Sequence, residues 1–379
     1  MLDPSVETGG VCLVSQVTAA DSRAIEGGLN ELWQMAAAGE IGGSIVRAAS
    51  LTLVVPVPDD ATANELVPLL DELTATHPFR AIFLVQAESL SAPRTRLASH
   101  MRRGGQDGEG APYWEEIRLQ APSSALRQTI SALTSLALPN LPVECWWPGS
   151  FAVDDQRYAQ LTEVSDRVIV DSTRLDDATA ALSGLATAIA SSQDTVGFSD
   201  LSWTRLTPLR TAIAELFDAP GDQAMLDSIE RVTVEYVRGE PGAAVQAMLV
   251  VGWLASRLGW EPQQYLSEGR GAWRLNMVDG VRTVHVAILR AAAGKRSGRG
   301  ICSVTIEAFE DNRESRYRVE ANEDDLLASS ETDGEVSERR SFLPAQSLTD
   351  VVREELGGFA TDRIYFESIQ LMARALGQP

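Results

Sequence analysis

Two short apolar runs separated by a helical stretch limit the folds that this chain can adopt. Leu51–Val57 and Ala81–Val85 are almost entirely aliphatic and aromatic, as is typical of strands that are buried on both faces. Between them, leucines recur at positions 66, 69, 70 and 73, which is helical spacing. The segment therefore predicts a β-α-β unit, the building block of parallel sheets covered by helices.

The same alternation continues to about residue 190. It predicts strands at Tyr113–Leu119, Pro142–Trp147 and Arg167–Asp171, each followed by a helix. Residues 88–111 are polar, contain glycine and lack periodicity, so they are predicted to form a long loop. We therefore predict an α/β N-terminal domain with a mainly parallel sheet over residues 1–195.

The pattern changes after the short polar stretch Ser191–Gly197, where we place the domain boundary. A helix is predicted over Gly242–Leu258, and strands joined mainly by hairpins are predicted around it, followed by two closing helices. These strands are Ile229–Val237, Val281–Leu289, Ile301–Ile306 and Arg316–Val319. We predict an α+β C-terminal domain with a mainly antiparallel sheet over residues 196–379.

The first candidate binding motif is the tryptophan pair that ends the Pro142–Trp147 strand before Pro148 and Gly149. Adjacent side chains of a strand point to opposite faces, so Trp146 and Trp147 are not expected to enter the same core. One interpretation has one indole packed inside and the other at the rim as a partner anchor. The other has both covered by flanking helices, as buried structural residues.

The second candidate motif is Asp200–Arg210, with the sequence DLSWTRLTPLR. Trp203, Arg205 and Arg210 lie within it, and an arginine near an indole can stack on the ring while donating to a carboxylate. Such a cluster suits either a joint between domains or an interface hot spot. We name Trp146, Trp147, Trp203, Arg205 and Arg210 as candidate partner-binding residues.

Residues for catalysis or phosphate binding do not occur in a recognisable pattern. Neither G-x-G-x-x-G nor G-x-x-x-x-G-K-[ST] is present, and Asp59 and Asp60 follow the first buried strand, where they would repel phosphate. No G-x-S-x-G turn accompanies the three histidines. The cysteines Cys12, Cys145 and Cys302 are far apart, without a C-x-x-C pair. We predict no catalytic, cofactor-binding or metal-binding residue.

Two basic segments stand out in an otherwise acidic chain. Gly294–Gly300 carries one lysine and two arginines between glycines, and arginines occur at positions 94, 96, 102 and 103. Each segment suits either contact with an anion or a solvated loop. The formal net charge of −21 argues against nucleic acid or an anionic membrane as the main partner. The N-terminus lacks the pattern of a signal peptide, so the chain is expected to be cytoplasmic.

The two tryptophan motifs, in this order, resemble those of the glucose-6-phosphate dehydrogenase assembly protein OpcA family. In that family a strand ending in WWPG is followed by a D-L-x-W-x-R-L-T-P-x-R segment, and both motifs are present here at 146–149 and 200–210. The resemblance implies a protein without catalytic activity or a cofactor that promotes assembly and activation of glucose-6-phosphate dehydrogenase. The alternative is a sugar-phosphate- or nucleotide-binding α/β enzyme with its site at the carboxyl ends of the N-domain strands.

Overall fold

The protein consists of two compact units, and each unit is built from three separate stretches of the chain. The structure is a computed structural model that describes residues 5–7, 10–17, 21–38, 45–46, 48–102, 111–150, 156–175, 177–191, 196–269, 271–280, 282–292, 294, 297, 300–310, 313–343, 346–358 and 362–377. The first unit comprises residues 1–170, 195–199 and 348–360, and the second comprises 171–194, 200–347 and 361–379. The predicted boundary at residue 195 lies outside the described residues.

Ten described strands form the sheet of the first unit in the order β1-β2-β6-β7-β5-β4-β8-β9-β10, with β3 paired to β7. They are β1 (Ser5–Glu7), β2 (Gly10–Val17), β3 (Ile45–Val46), β4 (Leu51–Val57), β5 (Phe79–Gln86), β6 (Arg94–Arg102), β7 (Ala111–Ala121), β8 (Val143–Trp146), β9 (Arg167–Val170) and β10 (Gly197–Asp200). The described helices of this unit are α1 (Ser22–Ala38), α2 (Asp60–Leu73), α3 (Leu126–Leu136), α4 (Gln156–Thr162) and α10 (Leu348–Glu355).

The centre of this sheet is parallel. β7, β5, β4, β8 and β9 pair in parallel, and every residue of β4 is buried, as the apolar run predicted. Numbered by chain order, the run β7-β5-β4-β8-β9-β10 reads 3-2-1-4-5-6, which is the strand order of doubly wound dinucleotide-binding folds. The α/β class with a mainly parallel sheet is confirmed.

The long loop predicted over residues 88–111 is wrong in part, because β6 occupies Arg94–Arg102. This strand pairs antiparallel with both β2 and β7. Although the sequence of β6 is polar, its side chain His100 is buried and paired. The His100 Nε2 atom lies 2.8 Å from Glu116 Oε2, and Arg118 donates to the same carboxylate. The His100 ring also stacks on Trp114, with their centres 4.0 Å apart. Paired charges thus take the place of apolar side chains along these strands.

A segment from near the C-terminus completes the first unit. Beside α10, Arg167 at the start of β9 donates to the carbonyl of Glu355, and its Nη2 atom lies 2.5 Å from the Glu355 carboxylate. The Gly357 N–H donates to Glu144 of β8 at 3.1 Å. Burial raises the pKa of Glu144 to about 7, although the charge of Arg167 opposes the shift. Residues 348–358 are therefore anchored at the amino ends of β8 and β9.

The sheet of the second unit has eight described strands in the order β12-β13-β14-β11-β15-β16-β17-β18. They are β11 (Ile229–Tyr236), β12 (Glu261–Gly269), β13 (Ala272–Asp279), β14 (Arg282–Arg290), β15 (Ile301–Glu310), β16 (Arg313–Ala321), β17 (Asp325–Thr332) and β18 (Glu335–Phe342). The described helices are α5 (Ala178–Ser191), α6 (Leu201–Arg205), α7 (Thr207–Glu215), α8 (Pro220–Gln223), α9 (Ala243–Leu258) and α11 (Arg363–Ala375).

This sheet is antiparallel except where β11 pairs with β14, so the predicted α+β class with a mainly antiparallel sheet is confirmed. Helices α7 and α9 pack against one side of it, where Val232, Val234 and Val319 are buried. Alternate residues such as Arg231 and Arg316 point to the other side and are exposed. We call that side the open face.

Candidate functional site

The WWPG motif lies where the strand order of the first sheet reverses. The carboxyl ends of β4 and β8 are neighbours there, and doubly wound folds bind ligands in the crevice at this point. After β4, Asp59 caps α2: its Oδ1 atom accepts hydrogen bonds from Thr62 N and Thr62 Oγ1, both at 2.8 Å. A carboxylate thus occupies the helix end that would otherwise attract a phosphate.

Both indoles of the motif are buried in the first unit. Trp146 is fully buried, and Trp147 is 3% exposed. The Trp147 N–H donates to the Ile169 carbonyl at 2.8 Å, and its Nε1 atom donates to the Ser150 carbonyl at 3.1 Å. The Arg157 guanidinium lies 5.3 Å from its ring centre. Both indoles are thus buried, as in the interpretation that treats them as structural residues. Contact of either indole with a partner stays a prediction.

In the second unit, the DLSWTRLTPLR motif begins with a buried carboxylate. Asp200 caps α6, and its Oδ1 atom accepts from Ser202 N at 2.9 Å and from Ser172 N at 3.0 Å. Its other oxygen accepts from the Tyr365 hydroxyl at 2.9 Å. Burial raises the pKa of Asp200 to about 6, because these hydrogen bonds offset only part of the desolvation. One side chain thus joins the start of the motif to helix α11.

Trp203 makes the second connection to α11. Its Nε1 atom donates to Asp362 Oδ2 at 2.7 Å, and its ring lies 5.5 Å from the ring of Tyr365. Asp362 in turn caps α11 by accepting from the N–H groups of Ile364 and Tyr365. The indole is therefore part of the capping structure of this helix.

Arg210 stacks on the face of the Trp203 ring, a contact that the residue types of the motif allow. Its guanidinium carbon is 3.4 Å from the ring centre, and its Nη2 atom donates to Thr207 Oγ1 at 3.0 Å. Burial lowers the pKa of Arg210 to about 10, while the nearby Asp362 charge opposes that shift. The cation is only partly compensated, so the indole face contributes to its stabilisation.

Arg205 forms a bidentate ion pair with Asp171, the residue that follows β9. The two hydrogen bonds measure 2.9 and 3.0 Å, and the Arg205 side chain is 22% exposed. Burial disfavours the charged form of Asp171, but the hydrogen bonds from Arg205 and Thr173 hold its pKa below the usual range. This pair ties α6 to the turn at Ser172–Arg174.

The structure brings Trp203, Arg205 and Arg210 together in the second unit, whereas Trp146 and Trp147 belong to the first. Sequence reasoning missed Asp362 and Tyr365, because more than 150 residues separate them from the motif. It also missed Asp171 as the partner of Arg205. The polar residue directly after a buried strand was the one available signal for Asp171.

The other predicted features are less informative. Arg94 and Arg96 lie on β6, whereas Arg103 and the side chains of Arg102, Lys295, Arg296 and Arg299 lie outside the described part of the chain. Within the described residues, no three histidine, cysteine or carboxylate side chains are close enough to hold a metal ion. In the same residues, no helix combines the length and apolarity needed to cross a bilayer.

Comparison with solved structures supports the fold. A levoglucosan dehydrogenase in complex with NADH and L-sorbose superposes with a TM-score of 0.50 at 9% identity, over 87% of this chain and 97% of that chain. At this identity the likeness concerns the fold alone.

Sequence comparison finds curated relatives that are named OxPP cycle protein OpcA, among them the following two. The protein from Nostoc punctiforme is 29% identical over 202 residues, which are 53% of this chain and 42% of that protein. The one from Synechocystis sp. is 30% identical over 198 residues, 52% of this chain and 40% of that protein. The chain thus spans less than half the length of these curated relatives.

Two domain families also match the chain. Residues 70–187 match the glucose-6-phosphate dehydrogenase subunit N-terminal domain of OpcA, and residues 196–369 match the corresponding C-terminal domain. Together the two matches span most of the chain, in the order in which the two motifs occur. The protein belongs to the OpcA family.

Proposed function

We propose that this protein is a non-catalytic assembly factor and allosteric activator of glucose-6-phosphate dehydrogenase, acting in the cytoplasm. The observation that carries the proposal is the match of both parts of the chain to domains described as those of a glucose-6-phosphate dehydrogenase subunit. The name of the cyanobacterial relatives supports a role in the oxidative pentose phosphate pathway. The protein would then govern NADPH production through its partner.

The use of the charged groups in the motif supports a role in binding over one in catalysis. Asp200 accepts three hydrogen bonds, and Arg205 forms a bidentate ion pair with Asp171. Groups engaged in this way are poorly suited to proton transfer to a substrate. The carboxylate of Asp59 similarly occupies the helix end at the strand-order reversal.

Activation follows from binding alone. A protein that binds the assembled or active form of an enzyme more tightly than its other forms shifts the equilibrium toward that form. The shift is limited by the difference between the two affinities. No cofactor of the activator is required.

Within this proposal, the five candidate residues take different parts. Arg205 and Arg210 have partly exposed side chains and are proposed to touch the dehydrogenase. Trp146, Trp147 and Trp203 are buried, so their proposed contribution to partner binding is to hold the two motifs in the shape that the partner contacts. Tryptophan and arginine are both typical of interface hot spots, so each deserves a separate test.

The test measures glucose-6-phosphate dehydrogenase from the same organism with and without the purified chain. We expect higher dehydrogenase activity and a larger assembled fraction by light scattering, with no turnover of glucose 6-phosphate and NADP by the chain alone. Turnover that survives removal of contaminating dehydrogenase would overturn the non-catalytic assignment. The absence of binding and of any change in activity would overturn the partner assignment.

The contact residues need a paired measurement of stability and affinity. Arg210→Ala and Arg205→Ala are expected to weaken association by about 1–3 kcal/mol each. Arg363→Ala is the control, because Arg363 is 88% exposed and belongs to neither motif. If the folded variants lose much stability but bind the dehydrogenase with unchanged affinity, the DLSWTRLTPLR motif is not part of the partner-binding surface.

A further inference from the structure

The open face of the second unit carries a row of alternating charges. Arg231 on β11, Glu307 on β15, Arg316 on β16 and Glu331 on β17 are cross-strand neighbours in register. Arg231 lies 2.9 Å from Glu307, Arg316 lies 3.1 Å from Glu307, and Arg316 lies 3.9 Å from Glu331. We call these four residues the charged row. It reads plus, minus, plus, minus across the sheet.

The same face exposes most of the large apolar side chains that the described chain leaves in solvent. Five such side chains are strongly exposed, and three of them, Phe309, Val336 and Phe342, lie on β15 and β18. Phe309 is two residues from Glu307, and Val336 is opposite Glu331, so both share the side of the charged row. Phe342 is six residues from Val336, which places it on that side as well. Clustered exposed apolar residues beside polar ones are typical of protein interfaces.

The charged row is complementary to itself. A twofold axis that runs along the strands between Glu307 and Arg316 reverses the order of the row in a second copy. Arg231 then faces Glu331 of the second copy, and Glu307 faces its Arg316, so all four positions meet an opposite charge. Closed dimers of this kind use the same patch on both copies.

The charge of the whole chain makes this match selective. At a formal net charge of −21, two copies repel one another at most orientations. The charged row itself contains two arginines and two glutamates, so the pairing of two rows adds no net repulsion. Charge complementarity therefore favours this face over the acidic remainder of the surface.

The size of the face is adequate for a stable dimer. Six strands from β14 to β18, spaced about 4.8 Å apart and about eight residues long, present on the order of 750 Å². A standard interface buries about 800 Å² on each partner. Sheets that pack face to face lie about 10 Å apart, a gap that arginine and glutamate side chains from both copies fill.

We propose that two copies of this protein form a dimer through their open faces, with the charged rows paired around a twofold axis. The proposal does not rest on the proposed function, because it concerns the chain alone. The test is the molar mass of the purified full chain by sedimentation and light scattering. The unsubstituted chain is expected to be a dimer at concentrations at which the double variants described below are monomers.

Two double variants test the charged row. Arg231→Glu with Arg316→Glu makes the row entirely acidic, and Glu307→Arg with Glu331→Arg makes it entirely basic. Each variant is expected to dimerise at least about tenfold more weakly, and an equimolar mixture of the two is expected to restore the dimer. The control is Arg374→Glu, since Arg374 is similarly exposed and pairs with Glu261 at 3.1 Å on another surface. That control is expected to remain dimeric.

Two outcomes would overturn the proposal. They are a monomeric unsubstituted chain at its highest soluble concentration, and double variants that dimerise like the parent. The molar mass of the unsubstituted chain needs no variant, so it remains decisive where a double variant does not fold. Loss of dehydrogenase binding in the double variants of a monomeric chain would assign the open face to the dehydrogenase instead. Retained dehydrogenase binding by monomeric double variants would support the dimer and leave the proposed function standing.

Discussion

The guanidinium of Arg210 lies 3.4 Å from the centre of the Trp203 ring, while the indole nitrogen of Trp203 donates to Asp362 at 2.7 Å. One indole thus contacts a cation with its face and an anion with its edge, which matches the charge distribution of an aromatic ring. The arrangement joins two segments that are far apart in the sequence, and it can be dissected by substitution.

Trp203→Phe should remove the hydrogen bond to Asp362 and keep a ring under Arg210. Since the acceptor is a carboxylate, we expect a loss of about 1.5–3 kcal/mol in the free energy of unfolding. Trp203→Leu removes the ring as well and should cost more. Urea denaturation of both variants gives the comparison, and equal losses would show that stacking on Arg210 contributes nothing.

Asp200→Asn should change how stability depends on pH. Burial raises the pKa of Asp200 to about 6, above the value of about 3.9 for an unfolded aspartate. The stabilisation from its protonated form is therefore complete below about pH 4 and is lost as the pH rises through 6. The difference in unfolding free energy between parent and variant should shift in favour of Asn over this window. If the difference in unfolding free energy between parent and variant is constant from pH 4 to pH 7, the pKa of Asp200 is not raised in the folded protein.

His100→Asn tests the buried ion pair of β6 and β7. Burial alone would lower the pKa of His100, but hydrogen bonds with Cys12 and Glu116, and the charge of Glu116, raise it to about 9. An unfolded histidine titrates near 6.5, so the stabilisation is complete below about pH 6.5 and lost as the pH rises to 9. The groups around it are Cys12, Glu116, Trp114 and Arg118. Urea denaturation at several pH values across this range should show that the free energy of unfolding declines in the parent and does not decline in the variant.

Cys145 should resist thiol reagents while the protein is folded. Burial raises the pKa of this thiol to about 12, so the reactive thiolate is scarce at neutral pH. Labelling followed by mass spectrometry should detect modification of Cys145 only after addition of denaturant. Cys12, which is less buried, provides the internal comparison. Rapid labelling of Cys145 in the native protein would contradict its burial.

The sequence predicted the elements that are buried on both faces. β4 and β5 are continuous apolar runs, and the helix α9 has nearly uninterrupted apolar character, so their period and length are informative. The parallel sheet class followed from β4 and β5, whereas the antiparallel class followed from the strands of the second unit that were predicted to be joined by hairpins. Several strands of the second unit were not predicted, among them β17 and β18. The outer side of β17 is mostly polar and only partly buried, and β18 is exposed throughout with polar residues at most positions.

The candidate site was predicted in part. The residue types indicated that an arginine of the motif can stack on Trp203 and donate to a carboxylate, and the structure divides these contacts between Arg210 and Arg205. The identity of the partners did not, since Asp171, Asp362 and Tyr365 reach the motif only through tertiary packing. Sequence spacing carries no information on such contacts.

The anchoring of residues 348–358 at the amino ends of β8 and β9 has a consequence for biosynthesis. A ribosome releases the strands of the first unit early, but Glu355 lies 188 residues after its partner Arg167, and Gly357 lies 213 residues after its partner Glu144. Domains that are contiguous in sequence fold one after another as they emerge. Here the buried Glu144 and Arg167 of the first unit gain these partners only after the strands of the second unit have been synthesised.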